Sequence, residues 1–434
     1  MLMVIEIYTI SEVGFDAERR YNIDFKVEEC VRRIIEDVRI EGDRALIDYT
    51  EKFDCVKISR DEIEIPKEKM DEALSIVPED YIATLEEMYD RLLKFHNMQL
   101  PKGFEVEIVP GVRLEFIWVP LRRVGLYVPG GLHPYPSTVL MASAPARIAG
   151  VQEIIVCTPP KPKGLNPYLL AALAIAGVDR VFQVGGAQAI AAMAFGTESI
   201  PKVDKIIGPG NIYVATAKRL LYGIVGLDTP TGPSEIIVLT DGSTKAEYIA
   251  LDLIAQLEHG PGSRAILLTL SKDYALEVTR IIEGYLSSIP EKMTSIDGLT
   301  ILIASDLDEA LNFVYSYAPE HLEVHLREMP VDLIERCQSC GTLLIGSFSS
   351  AALSDYATGG NHILPVGGSG RFSSGLSVYD FMKHITVQKV SHEGFKRIAA
   401  VALKLAEVEG FYMHRKAVES RLRDVNRVEL EYTG

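Results

Sequence analysis

The sequence predicts an α/β fold that contains two doubly wound units in tandem. Short apolar segments alternate with helical segments from residue 124 onward, and a second series of the same kind starts at residue 235. Apolar strands that alternate with helices are typical of parallel sheets whose two faces are covered by helices. The predicted strands are VGLYV, EIIVC, RVFQV and KIIG in the first series and EIIVLT, RAILLTL, LTILIA and GTLLIG in the second. Each series therefore predicts one Rossmann-like unit with a parallel sheet.

The segments outside the two series are mostly helical in pattern. Apolar residues recur at every third or fourth position in 27–54, 71–77 and 81–99, which predicts helices. Residues 104–121 alternate between apolar and polar types around a Pro–Gly pair, which predicts a hairpin. Helical patterns with alternating charge close the chain from about 393 to 424. We therefore predict a helical N-terminal region and a C-terminal helical tail around the α/β units.

The composition is that of an ordinary globular protein, with 47% hydrophobic and 24% charged residues. The net charge of −16 would repel nucleic acid, and the basic runs are too short to argue for a polyanion partner. No apolar stretch reaches the roughly 18 residues of a membrane span. The acidic N-terminal residues do not fit a signal peptide. We therefore expect a cytoplasmic protein with no nucleic-acid or membrane partner.

The five cysteines argue against a disulfide framework, because their number is odd and the chain is long. Cys337 and Cys340 form a lone C-x-x-C pair, and no second pair follows at the spacing of a zinc site. A redox role stays open for this pair. A helix end with two small, partly buried thiols is the simpler interpretation.

Open α/β sheets bind their ligands at the carboxyl ends of the strands, so the loops there are where we expect a site. The sequence has neither a G-x-G-x-x-G fingerprint nor a Walker-A loop. The Gly-rich turns VPGG, VGGAQ and GPGN could offer backbone N–H groups to a phosphate, although many such turns are only tight connections. The loops expected at the carboxyl ends are 128–136, 185–188, 208–213, 231–235, 258–263, 317–321 and 354–362.

Histidines beside acids or amides mark four stretches, QLEHG, APEHLEVH, SDYATGGNH and EGFYMH. Gln256 and His259 are three residues apart, so a helix would present both on one face. Zinc accepts histidine nitrogen together with carboxylate oxygen, and Asp355 follows at a later strand exit. His414 lies in the distant tail and would have to fold back or come from a second subunit.

The PEH stretch is a candidate for acid–base chemistry. Imidazole has an unperturbed pKa of about 6.5, which suits proton transfer near neutrality. Pro319 suggests that Glu320 and His321 open a helix, where both side chains could reach one cavity.

These stretches, with others in the same order, resemble the histidinol dehydrogenase family. The resemblance covers nearly the whole chain and is most specific between about residues 123 and 384. Its motifs are RVGLYVPGG, PYPSTVLMASAPARIAGV, VGGAQAIAAMAFGT, GPGNIYVATAKR, GPSEIIVL, DLIAQLEHG, YAPEHLE, LSDYATGGNHILPVGG and RFSSGLSVYDFMK. The resemblance implies oxidation of L-histidinol through L-histidinaldehyde to L-histidine with two NAD⁺, the last step of histidine biosynthesis. It also implies one zinc ion per active site and an intertwined homodimer.

The resemblance assigns roles to particular residues. His321 would be the general base, and Glu320 would activate water to attack the aldehyde. The implied zinc ligands are Gln256, His259, Asp355 and His414, and the implied NAD contacts are Tyr127, Gln188 and Asn211. The implied substrate contacts are Ser234, His321, His362 and Glu409 besides the zinc ligands. Glu409 and His414 would come from the partner subunit, which would explain the distance of His414 from the other ligands.

Four parts of the chain follow from these assignments. We predict a segment 1–20 that packs with the tail, a first α/β domain of 21–123 with 235–375, a second α/β domain of 124–234 that binds NAD, and a C-terminal helical domain of 376–434 that reaches the partner subunit.

Two departures from the family pattern stand out: Gly360 replaces a more usual Thr, and His133 occupies a variable loop position. One alternative is a paralogous zinc- and NAD-dependent dehydrogenase of another polar alcohol. Another alternative is a non-catalytic α/β protein that binds a small ligand, which the missing G-x-G-x-x-G supports.

Overall fold

The structure is a computed structural model that describes residues 5–13, 24–130, 134–228, 232–260, 262–288 and 296–432. The described chain divides into two units. The first unit contains the residues up to 99 and residues 121–381, and the second contains 100–120 and the residues from 382 onward. His133 lies outside the described residues.

The described strands, in chain order, are β1 (Ile7–Thr9), β2 (Glu64–Ile65), β3 (Phe104–Val109), β4 (Val112–Pro120), β5 (Arg123–Tyr127), β6 (Glu153–Cys157), β7 (Arg180–Phe182), β8 (Lys205–Ile207), β9 (Gly226–Leu227), β10 (Glu235–Thr240), β11 (Arg264–Thr269), β12 (Leu299–Ile303), β13 (His321–His325), β14 (Thr342–Ile345) and β15 (Met382–Val390).

The described helices are α1 (Ile10–Val13), α2 (Phe25–Glu41), α3 (Asp43–Asp54), α4 (Lys67–Ile76), α5 (Glu79–Asn97), α6 (Pro136–Ala149), α7 (Pro167–Ile175), α8 (Gly186–Phe195), α9 (Ile212–Leu221), α10 (Ala246–Leu257), α11 (Lys272–Leu286), α12 (Leu307–Tyr317), α13 (Leu333–Arg336), α14 (Ala351–Tyr356), α15 (His392–Val408) and α16 (Tyr412–Tyr432). None of the helices among these residues has both the length and the apolar composition of a membrane span.

Two six-stranded sheets form the first unit, and both confirm the predicted doubly wound α/β class. The β5 sheet has the order β2-β7-β6-β5-β8-β9, and the β10 sheet has the order β1-β12-β11-β10-β13-β14. Every pairing in them is parallel except that of the short edge strand β2 with β7. In each sheet the chain first moves outward in one direction and then returns to pair on the other side of the first strand. The switch points are therefore β5/β8 and β10/β13.

The N-terminal helices pack on the β5 sheet. Val31, Ile34 and Val38 of α2 are buried in a core that also contains Ile190 of α8 and Val214 of α9. These apolar residues recur at helical spacing along α2, which explains why one face of the helix is buried. The sequence analysis predicts that 21–123 forms one domain with 235–375. The predicted domain boundaries, including the packing of 1–20 with the tail, stay predictions.

The two faces of β13 differ in chemistry. Leu322 and Val324 lie in an apolar core with residues of α12 and α13. His321, Glu323 and His325 alternate with them and share the opposite face, because side chains along a strand point to alternate sides. The sequence did not predict this strand, and its expectation that Glu320 and His321 open a helix is wrong: His321 begins β13.

The second unit contains an antiparallel sheet of order β15-β4-β3 and the helices α15 and α16. β3 and β4 confirm the predicted hairpin, and Gly111 in its turn has a φ of +85°. The tail is helical as predicted. Gly410, with a φ of +75°, separates α15 from α16.

Candidate active site

Polar side chains gather at the amino ends of β10 and β13, the switch point of the β10 sheet. Ser234 precedes β10, Glu320 precedes β13, and Gln256 lies at the end of α10, which runs antiparallel to the strands. From the sequence we expect the loops 231–235, 258–263 and 317–321 at the carboxyl ends of strands. For the β10 sheet that expectation is wrong. Residues 232–235 and 317–321 lead into β10 and β13, and the described residues of 258–263 lie between α10 and the start of β11.

A chain of hydrogen bonds connects three of these side chains. The Gln256 Nε2 atom donates to Ser234 Oγ at 2.8 Å, and Ser234 Oγ donates to Glu320 Oε2 at 2.6 Å. The same carboxylate oxygen accepts the backbone N–H of Glu235 at 2.9 Å. Two donors on one oxygen fix the Glu320 carboxylate beside the start of β13.

His321 lies between two carboxylates. Its Nδ1 is 3.6 Å from Glu320 Oε2, and its Nε2 is 3.7 Å from Asp355 Oδ1. Burial alone would lower the pKa of His321, but the Glu320 and Asp355 carboxylates raise it to about 10. Both ring nitrogens are buried and have no hydrogen-bond partner among the described residues. The imidazole is therefore free to exchange a proton with a bound molecule.

Asp355 is also close to two further histidines. Burial would raise its pKa, but His321, His362 and His259 together hold the pKa below the ordinary value. Burial lowers the pKa of His362, although Asp355 lies close to it. The Nε2 atom of His362 lies 3.3 Å from Thr138 Oγ1. The site thus combines carboxylate and imidazole groups from separate segments of the chain.

The predicted NAD contacts lie at the carboxyl end of the β5 sheet, as the sequence expected. Tyr127 ends β5, and its hydroxyl accepts the backbone N–H of Gly186 at 3.0 Å. Burial raises the pKa of Tyr127 to about 12. Gln188 is buried, and its Nε2 has no hydrogen-bond partner among the described residues. Asn211 is exposed and caps α9 by accepting the N–H groups of Tyr213 and Val214.

One contact joins this end of the β5 sheet to the site on the β10 sheet. Thr138 belongs to the first turn of α6, the helix that follows β5, and it is the residue that lies against His362. Asn361 fixes the neighbouring backbone, because its Nδ2 donates to the Met141 carbonyl of α6 at 2.7 Å. The loop after α14 is therefore held by these contacts against α6, the helix that follows the predicted NAD-binding end of β5.

Glu409 and His414 belong to the second unit. Glu409 is the C-terminal capping residue of α15, and His414 lies in the first turn of α16. Both are exposed, and the His414 ring packs against Phe411 with 5.0 Å between ring centroids. Their predicted approach to Gln256, His259 and Asp355 stays a prediction.

Comparisons with known proteins agree with this arrangement of motifs. A family model described as "Histidinol dehydrogenase" matches residues 17–422. The chain belongs to the histidinol dehydrogenase family. Histidinol dehydrogenase of Aquifex aeolicus is 45% identical over 412 residues, which cover 94% of this chain and 95% of that protein. The enzyme of Syntrophotalea carbinolica is 43% identical over 402 residues, which cover 92% of this chain and 93% of that one.

A solved structure gives the same family and the same fold. The crystal structure of histidinol dehydrogenase from Elizabethkingia anophelis matches with a TM-score of 0.90 and 35% sequence identity. The match covers 98% of this chain and 99% of that chain. The resemblance found in the sequence is thereby confirmed. As a member of the histidinol dehydrogenase family, the protein is an NAD-dependent oxidoreductase.

The side-chain chemistry of Gln256, His259 and Asp355 is compatible with a zinc ion. Asp355 Oδ1 is buried without a hydrogen-bond partner among the described residues, which leaves it available as a ligand. The Gln256 amide donates to Ser234 through Nε2, so its Oε1 atom is the one left for a metal. His259 follows three residues later and is exposed. An oxygen-and-nitrogen set of this kind suits zinc.

The sequence missed several residues that the structure brings to the site. Thr138 and Asn361 support His362, and the only signal for Asn361 was its position in the Asn–His pair of the SDYATGGNH stretch. A second cluster lies along α10 and β13 and contains Asp252, Glu323 and His325. The alternation of polar residues in HLEVH was the signal for that cluster.

Proposed function

We propose that this protein is a histidinol dehydrogenase that oxidises L-histidinol through L-histidinaldehyde to L-histidine, with one NAD⁺ reduced in each step. The observation that carries the proposal is the meeting of Gln256, Ser234, Glu320, His321 and Asp355 at the amino ends of β10 and β13. The reaction would complete histidine biosynthesis. The composition of the chain supports an enzyme of the cytoplasm.

His321 is the proposed general base. It accepts the alcohol proton while a hydride leaves the same carbon for NAD⁺, and its two unpartnered ring nitrogens support that role. A base has to be neutral before it accepts a proton, and the nearby carboxylates raise the pKa of His321 to about 10. A cation bound to the Asp355 carboxylate would reduce the negative charge near His321. The pKa of His321 would then fall toward the range of a working base.

Glu320 is the proposed activator of water in the second oxidation. Ser234 and the Glu235 N–H bind one of its carboxylate oxygens, so the orientation of the carboxylate is fixed beside His321. Removal of a proton from water lets the oxygen attack the aldehyde carbon, and the resulting hydrate loses the second hydride to NAD⁺. Retention of the aldehyde between the steps protects it from side reactions.

Gln256, His259 and Asp355, with His414 of a second subunit, are the proposed ligands of one zinc ion. When bound, zinc supplies a template that holds the amine and imidazole of the substrate and orients its alcohol. His362 and Ser234 contribute further substrate contacts, and Glu409 provides a carboxylate for a positively charged group of the substrate.

Tyr127, Gln188 and Asn211 are the proposed contacts for NAD. They lie at three strand-to-helix junctions at the carboxyl end of the β5 sheet, where doubly wound sheets bind nucleotides. The buried, unpartnered Nε2 of Gln188 supports a ligand at this end of the sheet. The contact of Thr138 with His362 supports the approach of the nicotinamide to the substrate.

A homodimer is proposed because two site residues lie on an exposed, apolar part of the tail. Phe411, Tyr412 and Met413 are all exposed beside His414. Large exposed apolar side chains next to functional polar groups are typical of protein–protein interfaces. The dimer would bring Glu409 and His414 of one subunit to the site of the other.

A substrate panel tests this function. NADH formation is measured by absorbance with L-histidinol and with other amino alcohols and diols, on the full-length protein with zinc present. We expect kcat/KM for L-histidinol to exceed that of every other alcohol, because the proposed zinc ligands and Glu409 would bind the amine and imidazole of that substrate. A higher value for another alcohol would support the paralogous dehydrogenase. Tight binding of L-histidinol without turnover would support the non-catalytic alternative.

A further inference from the structure

A second cluster of buried polar groups lies next to the proposed active site and has no part in the proposed mechanism. The polar atoms of Asp252, Glu323 and His325 lie within 4.8 Å of one another. Glu323 is completely buried and His325 is 2% exposed, whereas Asp252 is half-buried. Buried groups of this kind cost free energy unless each has a partner.

The cluster and the active site are successive layers between the same helix and the same strand. Asp252 precedes Gln256 by one turn of α10, and Glu323 follows His321 by two residues of β13. A helical turn of four residues advances about 6 Å, and two strand residues advance about 6.6 Å. Because α10 runs antiparallel to β13, and the two advances are nearly equal, Asp252 lies beside Glu323 as Gln256 lies beside the start of β13.

Glu323 receives hydrogen bonds from other parts of the site's framework. Its Oε1 accepts the backbone N–H of Ala351 at 2.6 Å, and its Oε2 accepts His325 Nε2–H at 3.1 Å. Burial, together with the charge of Glu323, raises the pKa of Asp252 to about 8. Asp252 also hydrogen-bonds to Glu323, and Asp252 is the donor in this pair because the Glu323 carboxylate already accepts from Ala351 and His325. The carboxylate of Glu323 thus contacts α10, β13 and α14.

These three elements carry the proposed site residues. α10 bears Gln256 and leads to His259, β13 begins with His321, and α14 bears Asp355 four residues after Ala351. Neighbouring strands bury apolar side chains such as Val238 on this side of the sheet. An apolar residue at 323 could also fill the layer, and replacement of buried ionic groups by apolar ones is often neutral for stability. An apolar residue at 323 would not form the directional hydrogen bonds that connect β13 to α10 and α14.

We infer that Asp252, Glu323 and His325 are positioning residues that hold α10, β13 and α14 in the arrangement which the zinc ligands and the base require. The inference rests on the proposed function, because it assigns the cluster to the same site. It concerns groups that touch neither the substrate nor the metal.

Substitutions at Asp252 test the inference on the full-length zinc-loaded protein. Asp252→Leu removes the donor to Glu323, and Asp252→Asn keeps an N–H donor of the same shape. Val278→Ala on α11 is the matched control, since it removes apolar volume from the same core without touching the cluster. Zinc affinity is measured by competition with a chromogenic chelator, and kcat/KM for L-histidinol and the Tm are measured in parallel.

We expect Asp252→Leu to weaken zinc affinity and kcat/KM by about 10–100-fold, as is usual when a residue that supports metal ligands is lost. Asp252→Asn should stay close to the wild type, because it keeps a donor to Glu323. Val278→Ala should lower only the Tm. Glu323→Gln provides a milder second variant if Asp252→Leu does not fold, and it should give an intermediate loss of zinc affinity.

Three results would overturn the inference. In the first, Asp252→Leu lowers the Tm as Val278→Ala does but leaves zinc affinity and kcat/KM unchanged. In the second, Asp252→Asn is as impaired as Asp252→Leu. In the third, the wild type binds a second zinc equivalent that Asp252→Leu loses, which would make the cluster a metal site itself. A wild type that does not oxidise L-histidinol would instead refute the proposed function, and the zinc measurement would still report on the cluster.

Discussion

Two buried histidines of this protein show how a structural and a functional imidazole differ. His96 is fully buried, and its Nδ1 lies 2.8 Å from Gln99 Oε1 while its Nε2 lies 3.3 Å from Asn361 Nδ2. His321 is as deeply buried, yet neither ring nitrogen has a hydrogen-bond partner among the described residues. An unmade hydrogen bond of a buried polar group costs about 1–3 kcal/mol. That cost supports a role for His321 in contacts with a bound molecule.

Substitution of His321 tests its proposed role as the general base. We expect His321→Asn to lower kcat for L-histidinol by about 10²–10⁴-fold, the usual contribution of a general acid–base group. Zinc content should not change, because His321 is not a proposed ligand. His392→Asn at the exposed start of α15 is the control and should behave like the wild type. Near-normal turnover in His321→Asn would show that another group removes the alcohol proton.

At the scale of elements, the sequence predicted the apolar strands well because their residues are apolar on both faces. β10 and β11 each bury five or six consecutive residues, and such runs stand out between turns. β13 did not stand out, because His321, Glu323 and His325 interrupt its apolar residues. Only the tertiary fold shows that all five of its residues are buried, with the polar ones between α10 and the sheet.

The location of the site was harder to predict than its residues. The sequence identified Gln256, His259, Glu320, His321 and Asp355 as candidates, and the structure brings the start of β13 together with the end of α10 and with α14. The loops expected at the carboxyl ends of the strands lie there in the β5 sheet but lie at the amino ends in the β10 sheet. Strands and helices alternate in the same way in the β5 and β10 sheets. The sequence pattern therefore does not indicate whether the polar residues lie at the amino or the carboxyl ends of the strands.

The GPGN turn gives a prediction at the scale of elements. The N–H of Gly208 donates to Asp228 at 2.6 Å, and its carbonyl accepts from Lys218 at 2.8 Å, so the turn is held on both sides. Gly208 has a φ of +120°, and an added Cβ would overlap the Tyr127 carbonyl oxygen. We expect Gly208→Ala to separate β8 from β5 and to raise the KM for NAD⁺ by about tenfold, which corresponds to 1.4 kcal/mol. KM for L-histidinol should change little.

Gly223→Ala is the matched control for this prediction. Gly223 also has a positive φ, +92°, but an added Cβ would meet no atom within 4 Å. The control isolates backbone strain, which costs about 1–3 kcal/mol. It should lower the Tm without changing the KM for NAD⁺. Equal effects of the two substitutions on that KM would contradict the proposed role of the turn.

At the scale of the whole molecule, the proposed active site is shared between two subunits. Mixing of inactive His321→Asn with inactive His414→Asn tests it. A mixed dimer would contain one site with both native residues and one site with neither. Random exchange makes about half of the dimers mixed, so recovery should approach about a quarter of wild-type activity. Mass spectrometry of the mixture verifies the exchange. No recovery despite exchange would argue for sites built within single chains.

The yield of NADH from a limiting amount of L-histidinol tests whether this protein performs both oxidations. The reaction is followed to completion with excess NAD⁺ and zinc, and the product is identified by mass spectrometry. We expect two NADH for each L-histidinol consumed, with L-histidine as the product. One NADH with the aldehyde as the product, or no NADH at all, would contradict it.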